Sequence, residues 1–206
     1  MTAYELKRLA LDVLYPNRCP FCNEIITYNA YWCNSCIDNY EFHKNDSDNI
    51  AVFEYTEKIK PFIFSIKEGG NGYAVSAAAK LIYDILDINI DLITCIPASK
   101  HRIKISGYNP PALVAEELGQ LMNIPCDVKL LKKIRNTETQ KDLTAEERRE
   151  NLKGAFTVTK NHKIAKNILL IDDVRATGST LEEAAEILRF AGAEKVYTAV
   201  IAAVNL

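Results

Sequence analysis

Two adjacent carboxylates, Asp172 and Asp173, are the residues of this sequence best placed to do chemistry. They follow the apolar run 168–171, which is typical of a strand buried on both faces. A loop of small and hydroxylated residues, Ala176–Thr180, comes next, and a helical pattern opens at Leu181. Because a helix N-terminus offers unpaired N–H groups and a partial positive charge, this order predicts a phosphate cradle. The carboxylates beside it can accept hydrogen bonds from two neighbouring sugar hydroxyls.

The loop itself has the residue types that a phosphate site needs. Gly178 lets the backbone approach a phosphate closely, and the hydroxyls of Thr177, Ser179 and Thr180 can donate to its oxygens. Arg175 adds a cation that either contacts phosphate or nucleic acid, or faces solvent. A second interpretation of the whole segment is a buried strand that ends in a polar turn, with an Asp as helix cap and the Gly as a turn residue.

A basic loop provides a second candidate binding segment. Lys100, Arg102 and Lys104 follow the apolar run 92–97, which has the pattern of a strand. Ligands bind at the carboxyl ends of the strands in open α/β sheets, so we expect these three cations to face a pyrophosphate. The alternative is a solvated loop.

Four cysteines form two C-x-x-C pairs, Cys19 with Cys22 and Cys33 with Cys36. Two such pairs separated by ten residues predict a tetrahedral zinc site, and four protein ligands make it structural and not catalytic. The alternative is four unliganded thiols. The aromatic residues of this module either pack around the metal or form a surface that stacks on bases or partner proteins. They are Tyr28, Tyr31, Trp32, Tyr40 and Phe42.

The composition is that of an ordinary globular protein. The chain has 206 residues, 48% of them hydrophobic and 25% charged, with a formal net charge of −2. This balance gives no global electrostatic case for nucleic-acid binding, so such a site must be a local patch. The apolar runs are too short for a membrane span, and the N-terminal residues lack the features of a signal peptide. We therefore expect a cytoplasmic protein whose thiols are reduced.

The chain is expected to divide at the polar run 44–49. Residues 1–48 would hold a short helix over 4–14 and the zinc module, and residues 49–206 would form the main domain. Residues 132–153 are almost without apolar side chains and predict either a mobile lid or a solvated helix that begins with a capping box at Thr144. The other predicted elements are a two-stranded hairpin over 50–70 that turns near 57–58, helices over 73–87 and 111–122, and strands over 126–131, 154–158 and 195–204. Strands that alternate with helices predict an α/β fold, a mainly parallel sheet with helices on both faces.

The segment 168–180 resembles the signature of type I phosphoribosyltransferases, which bind phosphoribosyl pyrophosphate (PRPP). Two positions depart from that signature: Arg175 stands where a hydrophobic or small residue is usual, and Ala176 where Thr is commonest. The resemblance implies that Asp172 and Asp173 hold the ribose hydroxyls and that the loop holds the 5′-phosphate. It also implies that Lys100, Arg102 and Lys104 face the pyrophosphate, with Mg²⁺ bridging its oxygens.

The whole chain resembles the ComF-type competence proteins, zinc-finger phosphoribosyltransferase-like proteins linked to imported DNA. The resemblance is carried by the cysteine module, the basic loop running into Gly107-Tyr108-Asn109, the pair Thr137 and Gln140, the segment 147–156 and the acidic motif, in this order. It implies a PRPP or nucleotide-like ligand, and single-stranded DNA and DNA-uptake proteins as partners. Catalysis, DNA binding without turnover and PRPP sensing all remain open.

The basic loop departs from the family pattern. Family members usually carry Arg-Gly-Phe-Asn-Gln where this chain reads Ser-Gly-Tyr-Asn-Pro over 106–110. The change removes a cation and a side-chain amide from the pyrophosphate side of the expected site. A Pro-Pro-Gln pattern is also replaced, by Glu-Thr-Gln over 138–140.

Overall fold

The computed structural model describes residues 16–27, 29–40, 48–69, 72–99, 103–104, 106–134 and 154–204. The helices predicted over 4–14 and from Thr144 lie outside the described residues. None of the described helices is both long enough and apolar enough to cross a membrane. The elements, in chain order, are α1 (Asn34–Ile37), β1 (Asn49–Glu54), α2 (Lys60–Gly69), α3 (Gly72–Ile85), β2 (Leu92–Cys95), α4 (Pro110–Met122), β3 (Leu131–Lys133), β4 (Phe156–Val158), β5 (Asn167–Arg175), α5 (Ser179–Phe190) and β6 (Lys195–Ala203).

The main sheet has four parallel strands in the order β1-β6-β5-β2. Strand β5 lies inside the sheet, where Ile168 pairs with both Leu92 and Val196. Ile168–Ile171 is fully buried, as expected for a parallel strand covered on both faces. All four strands end at the same edge of the sheet, which places the acidic pair beside the end of β2. The prediction of a mainly parallel sheet is confirmed.

Helices cover both faces of this sheet, as predicted. Leu169 and Ile171 point into a core shared with α2, α3 and α4. Ile168 and Leu170 point into a second core shared with α5 and the antiparallel β3–β4 hairpin. The alternation of side chains along β5 therefore decides which layer each residue meets.

The hairpin predicted over 50–70 is wrong in its second half. Residues 49–54 form a strand, but α2 replaces the second strand. Ile59, Phe62, Ile63 and Ile66 are all buried, and their spacing of three and four residues is that of one face of a helix. The sequence of α2 therefore has helical periodicity, although its β-branched and aromatic residues are typical of a strand. Burial of one helical face against the sheet favours the helix.

The strand predicted over 126–131 is also corrected. Cys126 makes only an isolated parallel bridge with Ile93, and the regular strand β3 begins at Leu131. Between them the Asp127 carboxylate accepts a hydrogen bond from the Lys129 backbone N–H at 3.0 Å. An Asp side chain that bonds the backbone two residues later forms a turn, which interrupts the strand.

Candidate sugar-phosphate and metal sites

The sequence pattern predicts that the acidic pair follows the strand, but in the structure the pair lies within β5. The strand runs on to Arg175, with Asp172 in register with Val200 and Arg175 in register with Ala203. The Asp173 N–H is bonded to the Asp172 carboxylate at 2.9 Å. Because β5 continues past the buried run, both carboxylates are held by a regular strand at the carboxyl edge of the sheet.

The predicted phosphate loop is a tight turn between β5 and α5. Gly178 precedes the first residue of α5 and has φ 83°, in the left-handed region that favours glycine. The turn therefore exposes the first N–H groups of a twelve-residue helix, the arrangement that binds an anion. The side-chain stem of Arg175 lies beside this turn, with its Cδ 3.8 Å from the position of a Cβ at Gly178.

The loop hydroxyls differ in their accessibility. Thr177 and Ala176 are exposed, and Thr180 is half-buried. Ser179 is only 5% exposed, and its hydroxyl lies 3.0 Å from that of Thr177. The structure thus brings the predicted loop residues together around the start of α5, with Thr177 the hydroxyl most open to a ligand.

The two carboxylates point to opposite faces of the sheet, and each is matched by a lysine of the layer that it meets. On one face, Lys67 of α2 forms an ion pair with Asp173, with 3.0 Å between Nζ and Oδ2. On the other, Lys133 of β3 lies close enough to Asp172 for the two charges to interact. Burial lowers the pKa of Lys133, and the charge of Asp172 acts in the opposite direction.

Lys67 and Lys133 were not predicted as site residues. Sequence reasoning misses Lys67 for two reasons. It predicts a strand over residues 60–69, and the partner of Lys67 lies 106 positions further along the chain. The helical spacing of the apolar residues in α2 could have revealed which of its residues face the sheet. Lys133 belongs to the basic run 129–135, but this run does not show on which side of the strand the lysine lies.

The basic loop is only partly described. Lys100 and Arg102 lie outside the described residues, and Lys104 is exposed. The end of the loop is anchored at two points: the Asn109 side chain donates to the Ile96 carbonyl at 2.9 Å, and the Tyr108 hydroxyl donates to the Lys67 carbonyl at 3.0 Å. These bonds connect the loop to the end of β2 and to the last turn of α2.

The four predicted metal ligands come together. The sulfur atoms of Cys19, Cys22, Cys33 and Cys36 all lie within 4.8 Å of one another. Zn–S bonds of about 2.3 Å in a tetrahedron require about 3.8 Å between sulfurs. The 3.7 Å between the sulfurs of Cys22 and Cys33 fits that geometry. Four thiolates around one point leave no open coordination position, as expected for a structural site.

The aromatic side chains near the metal ligands pack mainly on the α/β domain. Phe21 lies 4.4 Å from Tyr40 and 4.7 Å from Phe62 of α2, measured between ring centroids. Tyr40 also lies 5.5 Å from Phe53 of β1. Tyr31 and Trp32 are partly buried against the same core. Of the two predicted roles, packing describes Tyr31, Trp32 and Tyr40, although they pack on the domain as well as near the metal ligands. Phe21, which was not among the predicted aromatic residues, packs in the same way. Tyr28 and Phe42 lie outside the described residues.

Family comparison assigns both parts of the chain. Residues 51–205 match the model of the phosphoribosyl transferase domain, and residues 10–47 match that of the double zinc ribbon domain. Together with the clustered sulfurs, the second match supports a structural zinc site. The first match covers the sheet, the acidic pair and the loop at the start of α5.

Curated relatives match most of the chain. Competence protein F of Haemophilus influenzae is 29% identical over 188 residues, covering 86% of this chain and 81% of its own. The DNA utilization protein YhgH of Escherichia coli is 26% identical over 186 residues, covering 86% and 80%. The amidophosphoribosyltransferase of Staphylococcus aureus is 28% identical over 162 residues, which are 78% of this chain and 30% of that protein. The resemblance to ComF-type competence proteins is confirmed.

Proposed function

The chain belongs to the phosphoribosyl transferase domain family, and we propose that it binds PRPP or a related sugar phosphate at the carboxyl edge of β5. The observation that carries this proposal is the acidic pair, held in a regular strand directly before a glycine turn at the N-terminus of α5. Asp172 and Asp173 accept hydrogen bonds from the ribose hydroxyls. The backbone N–H groups that follow Gly178, with the Thr177 hydroxyl, hold the 5′-phosphate.

The lysines make this site suitable for an anionic ligand. Two carboxylates without counter-ions would repel a phosphate dianion beside them. Lys67 forms an ion pair with Asp173, and the charges of Lys133 and Asp172 interact, so both lysines reduce that repulsion. Lys104, with Lys100 and Arg102, is proposed to face the pyrophosphate.

Mg²⁺ is expected to arrive with PRPP. Among the described residues the only group of three or more potential ligands is the cysteine cluster. The cation would be bound through pyrophosphate oxygens, where it neutralises the charge of the leaving group.

If the bound PRPP reacts, the step is displacement of pyrophosphate from C1 by an acceptor through an oxocarbenium-like transition state. The residues described here bind and orient the sugar; they do not act as nucleophile. Their contribution is to hold C1 in place while the pyrophosphate departs.

Titration calorimetry with PRPP and Mg²⁺ tests the proposal. We expect saturable binding in the parent and a loss of at least tenfold in affinity for Asp172→Asn and Asp173→Asn. Lys80→Met, which breaks an ion pair on α3, is the control and should bind as the parent does. The proposal is refuted if the parent gives no heat of binding at millimolar PRPP, or if Asp172→Asn and Asp173→Asn bind PRPP like the parent. Binding without pyrophosphate release would indicate a PRPP sensor instead of a transferase.

We propose DNA handling as a second function, supported by the names of the relatives and by exposed lysines on β3 and beside β3 and β4. Lys132 is exposed on β3, and Lys129, Lys160 and Lys163 are exposed in the segments next to the two strands. Phosphate contacts predict binding that weakens steeply with salt. Single-stranded DNA titrations at several salt concentrations should show a shallower salt slope for Lys132→Ala with Lys160→Ala than for the parent. No binding at low salt, or an unchanged slope in the double variant, argues against this surface.

A further inference from the structure

The ion pair between Lys67 and Asp173 is largely shielded from solvent. The Lys67 side chain is 23% exposed and the Asp173 side chain 12% exposed. An exposed ion pair of this length contributes little, whereas a charge-assisted bond in a shielded place fixes the direction of both groups. Lys67 therefore determines how the Asp173 carboxylate is oriented at the end of β5.

The backbone of Lys67 is itself held by the end of the basic loop. The Tyr108 hydroxyl donates to the Lys67 carbonyl, which belongs to the last turn of α2. The last carbonyls of a helix generally lack partners within the helix and are free to accept such bonds. The adjacent Asn109 is bonded to the Ile96 carbonyl, which fixes the place of Tyr108.

We propose that Lys67 is a positioning residue for recognition of the sugar hydroxyls, and that the Tyr108 hydroxyl keeps it in place. The inference rests on the proposed binding of a sugar phosphate. Lys67 donates to Oδ2 of Asp173 and so directs the remaining lone pairs of the carboxylate to a hydroxyl of the ligand. Its charge also offsets the carboxylate beside a phosphate dianion.

This role predicts a selective defect. Lys67 lies on the α2 face of the sheet and bonds Asp173, while the phosphate is proposed to be held by the turn at Gly178 and the start of α5. Loss of Lys67 should therefore weaken ligands with sugar hydroxyls much more than it weakens phosphate itself. General damage to the fold would weaken both.

The test measures the affinities of ribose 5-phosphate and inorganic phosphate for the full chain by ³¹P NMR titration. We expect Lys67→Met to lower the affinity for ribose 5-phosphate about tenfold or more. The affinity for inorganic phosphate should fall by only about threefold or less, because that ligand senses the lost charge alone. Lys67→Arg, which retains a donor cation, should recover most of the loss. Tyr108→Phe should show a smaller loss in the same direction. Lys80→Met, whose ion pair with Asp84 lies on the surface of α3, is the matched control.

Two outcomes overturn the positioning role while the parent still binds both ligands. Lys67→Met could bind ribose 5-phosphate as the parent does, or it could lose both ligands to the same extent. A parent that binds neither ligand overturns the proposed function itself, which is a distinguishable result.

A measurement without ligand tests the ion pair whatever the binding result. Thermal unfolding of Lys67→Met, Asp173→Asn and the double variant forms a double-mutant cycle. We expect the two single changes to be non-additive, whereas Lys80→Met and Asp173→Asn, which share no contact, should add. Additive effects of the Lys67 and Asp173 changes would show that the pair does not act as a unit and would overturn the inference.

Discussion

Gly178→Ala is the most direct test of the turn that is proposed to form the phosphate cradle. In the ligand-free chain a Cβ at this position would meet nothing closer than Oε1 of Glu182 at 3.7 Å, which is an ordinary contact. The cost is therefore backbone strain at φ 83° and not a steric clash. A residue other than glycine in the left-handed region costs about 1–2 kcal/mol. For a chain of this size that corresponds to a fall of about 2–8 °C in the unfolding temperature.

Binding should suffer in addition, because the Cβ stands where the backbone approaches the phosphate. We expect the affinity for ribose 5-phosphate to fall about tenfold or more, as for loss of one charge-assisted hydrogen bond. Circular dichroism melts with and without ligand measure both effects. Gly72→Ala is the matched control: Gly72 begins α3, has no atom within 4 Å of a Cβ, and should accept alanine without loss. If the two variants melt and bind alike, the reasoning about Gly178 is refuted.

Three further predictions concern other parts of the structure. Metal analysis should find about one zinc per chain and its loss in Cys33→Ser, and an unchanged stoichiometry in that variant would contradict the four-cysteine site. Phe62→Ala should lower the free energy of unfolding by about 3–5 kcal/mol, because its ring is buried between Phe21 and the sheet. Phe64 is half-exposed, so Phe64→Ala should lower it by less than about 1 kcal/mol. Denaturant titration measures both values, and equal losses would contradict the prediction. Burial raises the pKa of the Cys126 thiol to about 12, so iodoacetamide at pH 8 should leave it unmodified in the folded chain and label it after unfolding; rapid labelling of folded protein would contradict this.

Much of the fold followed from local patterns, and the errors have specific causes. The buried run 168–171 and the helix over 72–85 were recognisable because each has one clear apolar pattern. The segment 60–69 was assigned to a strand because Phe and Ile are common in strands, although the same residues also have helical spacing. The strand over 126–131 was placed too early because the turn formed by Asp127 is a side-chain hydrogen bond that composition does not show.

The sequence predicts the acidic pair and the glycine of the candidate site, but not the lysines that interact with the acidic pair. The order of strand, acidic pair, glycine loop and helix is a contiguous pattern, so Asp172, Asp173 and Gly178 could be identified from the sequence. The lysines that interact with the two carboxylates could not be identified from the sequence, because Lys67 and Lys133 come from elements distant in the chain.

The sequence by itself determined the four-cysteine cluster, the parallel sheet and the position of the glycine turn before α5, because each depends on residue types at fixed short spacings. Only the tertiary structure decided that Asp172 and Asp173 meet different layers, that Lys67 forms an ion pair with Asp173, and that the Tyr108 hydroxyl bonds the Lys67 backbone. Such contacts depend on which faces of distant elements pack together. That packing is set by burial over the whole chain and leaves no mark in the spacing of neighbouring residues.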